Sequence, residues 1–393
     1  MTLAIIIIAC IILLTAYLFD VFALKRNVPS VILLVALGIA AHEVVIWTGV
    51  TLPDLNLLLP VFGTVGLILI VFEGALELKL TRSKAGLVKR AFIMSLVPML
   101  LIAFGVAYIF YYSGAGSFKV CLANTIPLAI ISSAVAIPSV KNLAAGKKEF
   151  VVYESSLSDI LGVLFFNFVA LNHEINIESL EHFGLQIVLI ILVSVLGTIG
   201  ISWVINRINH PVKHTPVLIV IILIYAIAKI EHLPGLVFVL SCGLFLGNVQ
   251  RFARIKWIKK LDPDRLSKNI ESLTELVVEA TFLIRVVFFV LFGFLIEIAD
   301  ILNTETLPWA AAIVGFILLL RIIFLWLLKA PVLPLLFIAP RGLITILLFY
   351  AILPEEKIAP VNISLIIQVV LLTAIIMMIG LLFKGKTEPS RTA

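Results

Sequence analysis

The sequence predicts an all-α polytopic membrane protein of about 13 transmembrane helices with an inverted internal repeat. Three observations predict it. Hydrophobic residues make up 62% of the 393 and charged residues only 13%, against about a quarter charged in soluble domains. The mean hydropathy is +1.21, so lipid is the solvent for most of the chain and backbone groups must be satisfied within helices. Two apolar spans, far apart in the chain, are interrupted near their middles by polar residues and proline. Period-two alternation, the mark of an outer-membrane barrel, is absent.

Taken in order, the spans run over 2–20, 29–47, 55–78, 88–112, 119–141, 150–171, 183–206, 215–230, 233–250, 270–298, 306–328, 331–353 and 361–383. Residues 1–19 lack both a basic n-region and a small-residue cleavage site, and so read as an uncleaved first helix. Of the 29 basic residues, only Lys119, Lys229 and Lys357 fall in loops on one side, and Arg285, Arg321 and Arg341 fall inside spans. The rest lie on the other side, which the positive-inside rule makes cytoplasmic. The N-terminus is therefore expected outside and the C-terminus in the cytoplasm. The net charge of +6 follows this topology and does not call for a nucleic acid partner. No span of loop, including 251–269, is long enough for a domain of its own. Residues 1–393 are expected to form one membrane domain without a soluble regulatory domain. Cys10, Cys121 and Cys242 are scattered and form neither a disulfide framework nor a zinc site. The six histidines fall in loops or at span ends, so no metal cluster and no nucleophile–base pair assembles at membrane depth. The chain is expected to be neither an enzyme nor dependent on a cofactor.

The interrupted spans define the repeat. The fifth reads LANTIPLAIISSAVAIPSVKNL, with Ser132 and Ser133 in its middle; the twelfth reads PVLPLLFIAPRGLITILLFY, with Pro340, Arg341 and Gly342 at its centre. Seven spans apart, they run in opposite directions. Broken helices in corresponding positions of two halves point to a secondary transporter. The break presents unpaired backbone groups and half-helix dipoles to an ion at the midplane.

The sixth span carries YESSLSDILGVLFF. Counted from Glu149 at about 1.5 Å per residue, Asp159 lies roughly 15 Å deep. Ser155 precedes it by four residues and shares its face, while Glu154 lies nearer the cytoplasm. A carboxylate at that depth must be paired, hydrated or protonated, and such residues mark ion and proton routes. Arg321, in the eleventh span, is within reach of Glu154 or Asp159, and Glu154 reads best as an arginine partner. Arg341 occupies the second break as a further charge partner. Ser155 and Ser158 offer oxygen ligands or serve as contacts between helices. Arg285, mid-span in the tenth helix, reads as structural. Glu73 and Glu77 sit at the end of the third span, where snorkelling is cheap.

These strings resemble the monovalent cation/proton antiporter superfamily, whose sodium/proton exchanger-like membrane domain matches from about Leu57 to Phe383. LILIVFEGALELKL resembles its third-span signature. YESSLSDILGVLFF resembles its Gly-Glu-Ser-x-x-Asn-Asp segment, with Glu154 and Asp159 on the two acids. FFVLFGFLIE and APRGLITILL follow in the same order. The resemblance implies two inverted repeats with crossed discontinuous helices, a mobile core and a dimerisation domain. It also implies that Asp159 alternately binds a cation or a proton. Arg321 takes the place of the family's basic residue, which pairs with the glutamate or the ion-binding acid. The chain departs from the pattern at Ser158, where relatives carry asparagine or a second aspartate. It departs again at Ser132-Ser133-Ala134, which is closer to the Ser-Ser-Thr of potassium-efflux relatives than to Thr-Asp-Pro.

The implied function is secondary active exchange of Na+ or K+ for H+ by alternating access, electroneutral because one acid is involved. The implied setting is a homodimer among the lipids of a bacterial-type inner membrane. Expected ion- and proton-binding residues are Asp159 and Glu154, with Ser158, Ser133, Ser132 and Ser155 beside them; Arg285 and Glu73 are further candidates. A sodium-coupled organic-anion symporter and a cation channel on a similar scaffold are the alternatives. A channel requires a continuous polar lining, which the spans lack.

Overall fold

The computed structural model describes residues 2–26, 28–48, 55, 58–78, 84–172, 177–207, 214–231, 233–252 and 263–384. All regular structure among them is helical. The principal helices are α1 (Thr2–Arg26), α2 (Ser30–Thr48), α3 (Leu58–Glu77), α4 (Ala85–Tyr112), α5 (Phe118–Ala129), α6 (Ser133–Ser139) and α7 (Ala145–Leu171). They continue with α8 (Ile177–Arg207), α9 (His214–Ile230), α10 (Gly235–Gly247), α11 (Pro263–Phe294), α12 (Leu307–Leu327), α13 (Leu343–Ala351) and α14 (Ile363–Lys384). Eight helical segments among the described residues are long and apolar enough to cross a membrane.

Each predicted span overlaps at least one of these helices, but several boundaries move. Helix α7 starts at Ala145 rather than 150, α8 at Ile177 rather than 183, and α11 at Pro263 rather than 270. Hydropathy marks only the apolar stretch, whereas the backbone ladder continues into charged residues at the interface. The twelfth span changes more. The sequence predicts a helix broken at its centre, yet the first half holds only a 3-10 turn at Leu335–Phe337 before α13 begins. Pro331, Pro334 and Pro340 remove three N–H donors there, so an α ladder cannot be completed. Many basic residues of the orientation count, including those in 79–83, 208–213, 253–262 and 385–393, lie outside the described residues.

The chain divides into two compact units. One comprises Met1–Gly63, Leu87–Phe166 and Arg285–Ala393, and the other Thr64–Gly86 and Asn167–Ile284. In the first, α2 and α11 approach so closely that a Cβ on Gly293 would strike the carbonyl of Val35, and one on Gly38 that of Val290. Backbone cannot move aside as a side chain can. Gly293→Ala is therefore expected to destabilise the protein by about 1–3 kcal/mol, measurable as a lower thermal midpoint in detergent. In the same unit, the buried Asn124 of α5 donates to Glu356 O (2.7 Å) and accepts from Ile358 N (3.3 Å). It thereby anchors α5 to the loop after α13. In the second unit, Asn248 donates to Leu78 O (2.7 Å) and Leu244 O (2.8 Å), joining the ends of α3 and α10. Carbonyls at helix ends have no partner within their own helices and need one from elsewhere.

Candidate functional site

The break between α5 and α6 positions the site. Ile130 and Ser132 are extended, with φ/ψ of −82°/132° and −82°/115°, so the intervening amides leave the helical ladder. Each finds an acceptor on another element. Ile131 N–H donates to Ser158 Oγ (3.0 Å), Ser132 N–H to Pro340 O (2.9 Å), and Ser133 N–H to Asp159 Oδ2 (3.2 Å). The Ser133 hydroxyl donates to the same carboxylate oxygen. The bond to Pro340 ties one break to the other.

The carbonyl side of the break is closed by Arg341. Its Nε donates to Leu128 O (2.9 Å) and one Nη to Ala129 O (3.0 Å), and the other Nη donates to Ala339 O (2.7 Å). Its backbone N–H donates to Thr373 Oγ1 of α14 (3.0 Å). Arg341 is only 1% exposed. The expected charge partner of an acid thus spends its donors on carbonyls, because the last carbonyls of α5 have lost their helical donors. Its charge also suits the negative end of the α5 dipole, as Asp159 suits the positive end of α6. Arg341→Met strands three buried carbonyls, with an expected loss of about 3 kcal/mol or more. The check is whether Arg341→Lys, which keeps the charge but not the planar fork, recovers only part of the thermal stability.

Gly342 sits where the two breaks meet. A Cβ there would lie 2.6 Å from Val135 Cγ2 and 3.0 Å from Ser132 Oγ, so any other residue would have to push Val135 aside.

Arg321 lies on Glu154. Its two Nη atoms meet the two carboxylate oxygens at 2.5 and 2.9 Å, and its Nε donates to Leu335 O (2.6 Å). Both residues are buried, at 2% and 1% exposure. This is the planar two-point geometry that arginine makes with carboxylates.

Asp159 is left in different company. It is 1% exposed; Oδ2 is engaged by Ser133, while Oδ1 has no hydrogen-bond partner. Ser132 Oγ is likewise buried without a partner. Of the other expected ligands, Ser158 Oγ accepts the amide of Ile131. Ser155 Oγ turns back to Val151 O of its own helix (2.8 Å), a common resting bond for helical serine. Asp159, Ser132, Ser133 and Ser158 therefore meet at the break, Ser155 sits one turn earlier on α7, and Glu73 belongs to the other unit. Arg285 pairs with Asp20 of α1 at 3.8 Å. Among the described residues no group of three or more His, Cys, Asp or Glu is placed to hold a metal ion.

A model of the family described as sodium/hydrogen exchanger, transmembrane, matches residues 9–384. The chain belongs to that family. Solved structures agree in fold with this exchanger. The sodium proton antiporter MjNhaP1 from Methanocaldococcus jannaschii at pH 8 matches with a TM-score of 0.66 at 20% identity, over 99% of this chain and 100% of that one. A second structure of MjNhaP1, from a 3D electron microscopy map, gives 0.69 at 19% identity with the same coverage. No curated protein matches the chain.

Two participants carry little signal in the sequence. Thr373 lies in an otherwise apolar stretch, and that isolation is its only mark. Asp20 stands at the end of the predicted first span, but α1 runs on to Arg26, which draws the acid inside the helix.

Proposed function

We propose that this exchanger moves one Na+ or K+ against one H+ by alternating access, with Asp159 as the shared binding group. One observation carries the reading. Of the two carboxylates fully buried among the described residues, Glu154 is held by Arg321, and Asp159 has a free Oδ1 beside serine hydroxyls. A carboxylate so placed is neutralised by either a cation or a proton. Competition between them couples the two fluxes, and a single exchanged charge makes the cycle electroneutral. Ser132 and Ser133 supply oxygen ligands, and Ser158 supports the break through the Ile131 amide. Glu154, Arg321 and Arg341 hold the two half-helices in register.

In this proposal residues 1–393 act as one exchanger domain and work as a homodimer in a bacterial-type inner membrane. The skew of basic residues supports an outside N-terminus and a cytoplasmic C-terminus.

The test uses the purified chain in sealed vesicles loaded with a pH-sensitive dye. Pulses of Na+, K+ and Li+ are each expected to shift internal pH if the ion is a substrate. Clamping the membrane potential is expected to leave the rate unchanged. A pH shift with no cation dependence, or a rate that follows the potential, overturns the exchange or its electroneutrality respectively.

A further inference from the structure

A second polar location lies at the far end of α6 from Asp159. A cavity of about 10 Å³ is lined by Asp20 and Ala23 of α1, Val28 and Ser30 before and at the start of α2, and Pro138, Ser139 and Asn142 at and just after the end of α6. That is room for about one water molecule or a small ion. Helix α6 has only seven residues, about 10 Å along its axis. Its first residue holds Asp159 and its last lines the cavity. The C-terminal end of a helix carries partial negative charge, and Asp20 adds a full one beside it.

The pairing of Asp20 with its counter-charge is long. Arg285 stands 3.8 Å away, with the two side chains 9% and 17% exposed. This is too long for a hydrogen bond, so the carboxylate is neutralised by Arg285 without having its lone pairs filled by it. An acid at the end of the first span with this freedom, on the wall of a cavity, is suited to receive a cation.

We propose that Asp20 is an ion-collecting residue. It receives the monovalent cation as the ion sheds water at the end of α6 bordered by the basic loops, before the ion reaches Asp159. Arg285 is its counter-charge while the cation is absent. The inference rests on the exchange reading above and adds a second acid to the route. Arg285 then lowers the occupancy of this station by competing for the carboxylate, so the two residues influence cation affinity in opposite directions.

The experiment compares half-saturating Na+ and K+ for proton flux in oriented vesicles carrying the full chain. Asp20→Asn is expected to raise the half-saturating concentration about threefold to tenfold, with a smaller change in maximal rate. The effect is expected only when the cation is offered from the side of the basic loops. Asp20→Glu is expected to return most of the affinity, and Arg285→Gln to lower the half-saturating concentration. If Asp20→Asn and Arg285→Gln shift it in the same direction, or reduce only the maximal rate, the pair is structural and the proposal is overturned. It is equally overturned if Asp20→Asn weakens affinity alike from both sides. Cation-driven flux that Asp159→Asn abolishes but Asp20→Asn leaves untouched sinks this inference alone; absence of such flux in the unsubstituted chain sinks both.

Discussion

Replacing Asp159 with asparagine is expected to reduce cation-driven proton movement by at least about a hundredfold, equivalent to about 2.7 kcal/mol. The substitution keeps the shape of the side chain. An amide oxygen can still accept the Ser133 N–H and hydroxyl that now reach Oδ2, so the break between α5 and α6 retains its acceptor. What disappears is the negative charge that a cation or proton neutralises. The measurement is dye-reported pH change in vesicles, paired with thermal unfolding in detergent. A stable variant without flux places the chemistry on this carboxylate. A stable variant with full flux moves the exchange elsewhere.

The second large effect concerns folding. Glu154→Ala leaves Arg321 buried with one neutral partner, Leu335 O, and Arg321→Met leaves Glu154 buried with its charge uncompensated. Each is expected to cost about 3–5 kcal/mol, the range for stripping one member from a buried ion pair. Removing both is expected to cost less than either alone, because the desolvation of two charges is relieved together. Thermal midpoints of the two single variants and the double variant give the coupling directly. Simple additivity would show that the pair does not act as a unit, despite its two-point contact.

Asp159 is legible in the sequence, because an acid in the middle of an apolar span stands out against its immediate neighbours. The broken fifth span is legible for the same reason, through Ser132, Ser133 and the prolines around them. Arg341 is legible as a charge at a break, yet its partners are not. It reaches Leu128, 213 residues away in the chain, and it donates to carbonyls rather than to a carboxylate. Nothing near position 341 in the sequence announces that α5 ends beside it.

The choice of Glu154 by Arg321 is open on sequence, since the helical register brings both acids within reach. The partners are separated by 167 residues, and only the lateral placement of α12 against α7 decides between them. Hydropathy does not single out Asp20, because the apolar run ends there although α1 does not.

By itself the sequence determined that the chain is an all-helical membrane protein, roughly where its helices run, and that the fifth span breaks at Ser132 and Ser133. All of these depend on local properties. In lipid, each backbone group must be satisfied within the protein, so apolar runs become helices and proline or polar interruptions become breaks. The tertiary structure alone decided who satisfies whom. Arg321 goes to Glu154, Arg341 to the carbonyls of α5, Ser158 and Asp159 to the amides of the break, and Arg285 to Asp20. These pairings follow from which helices pack side by side, a non-local outcome that hydropathy and spacing do not encode.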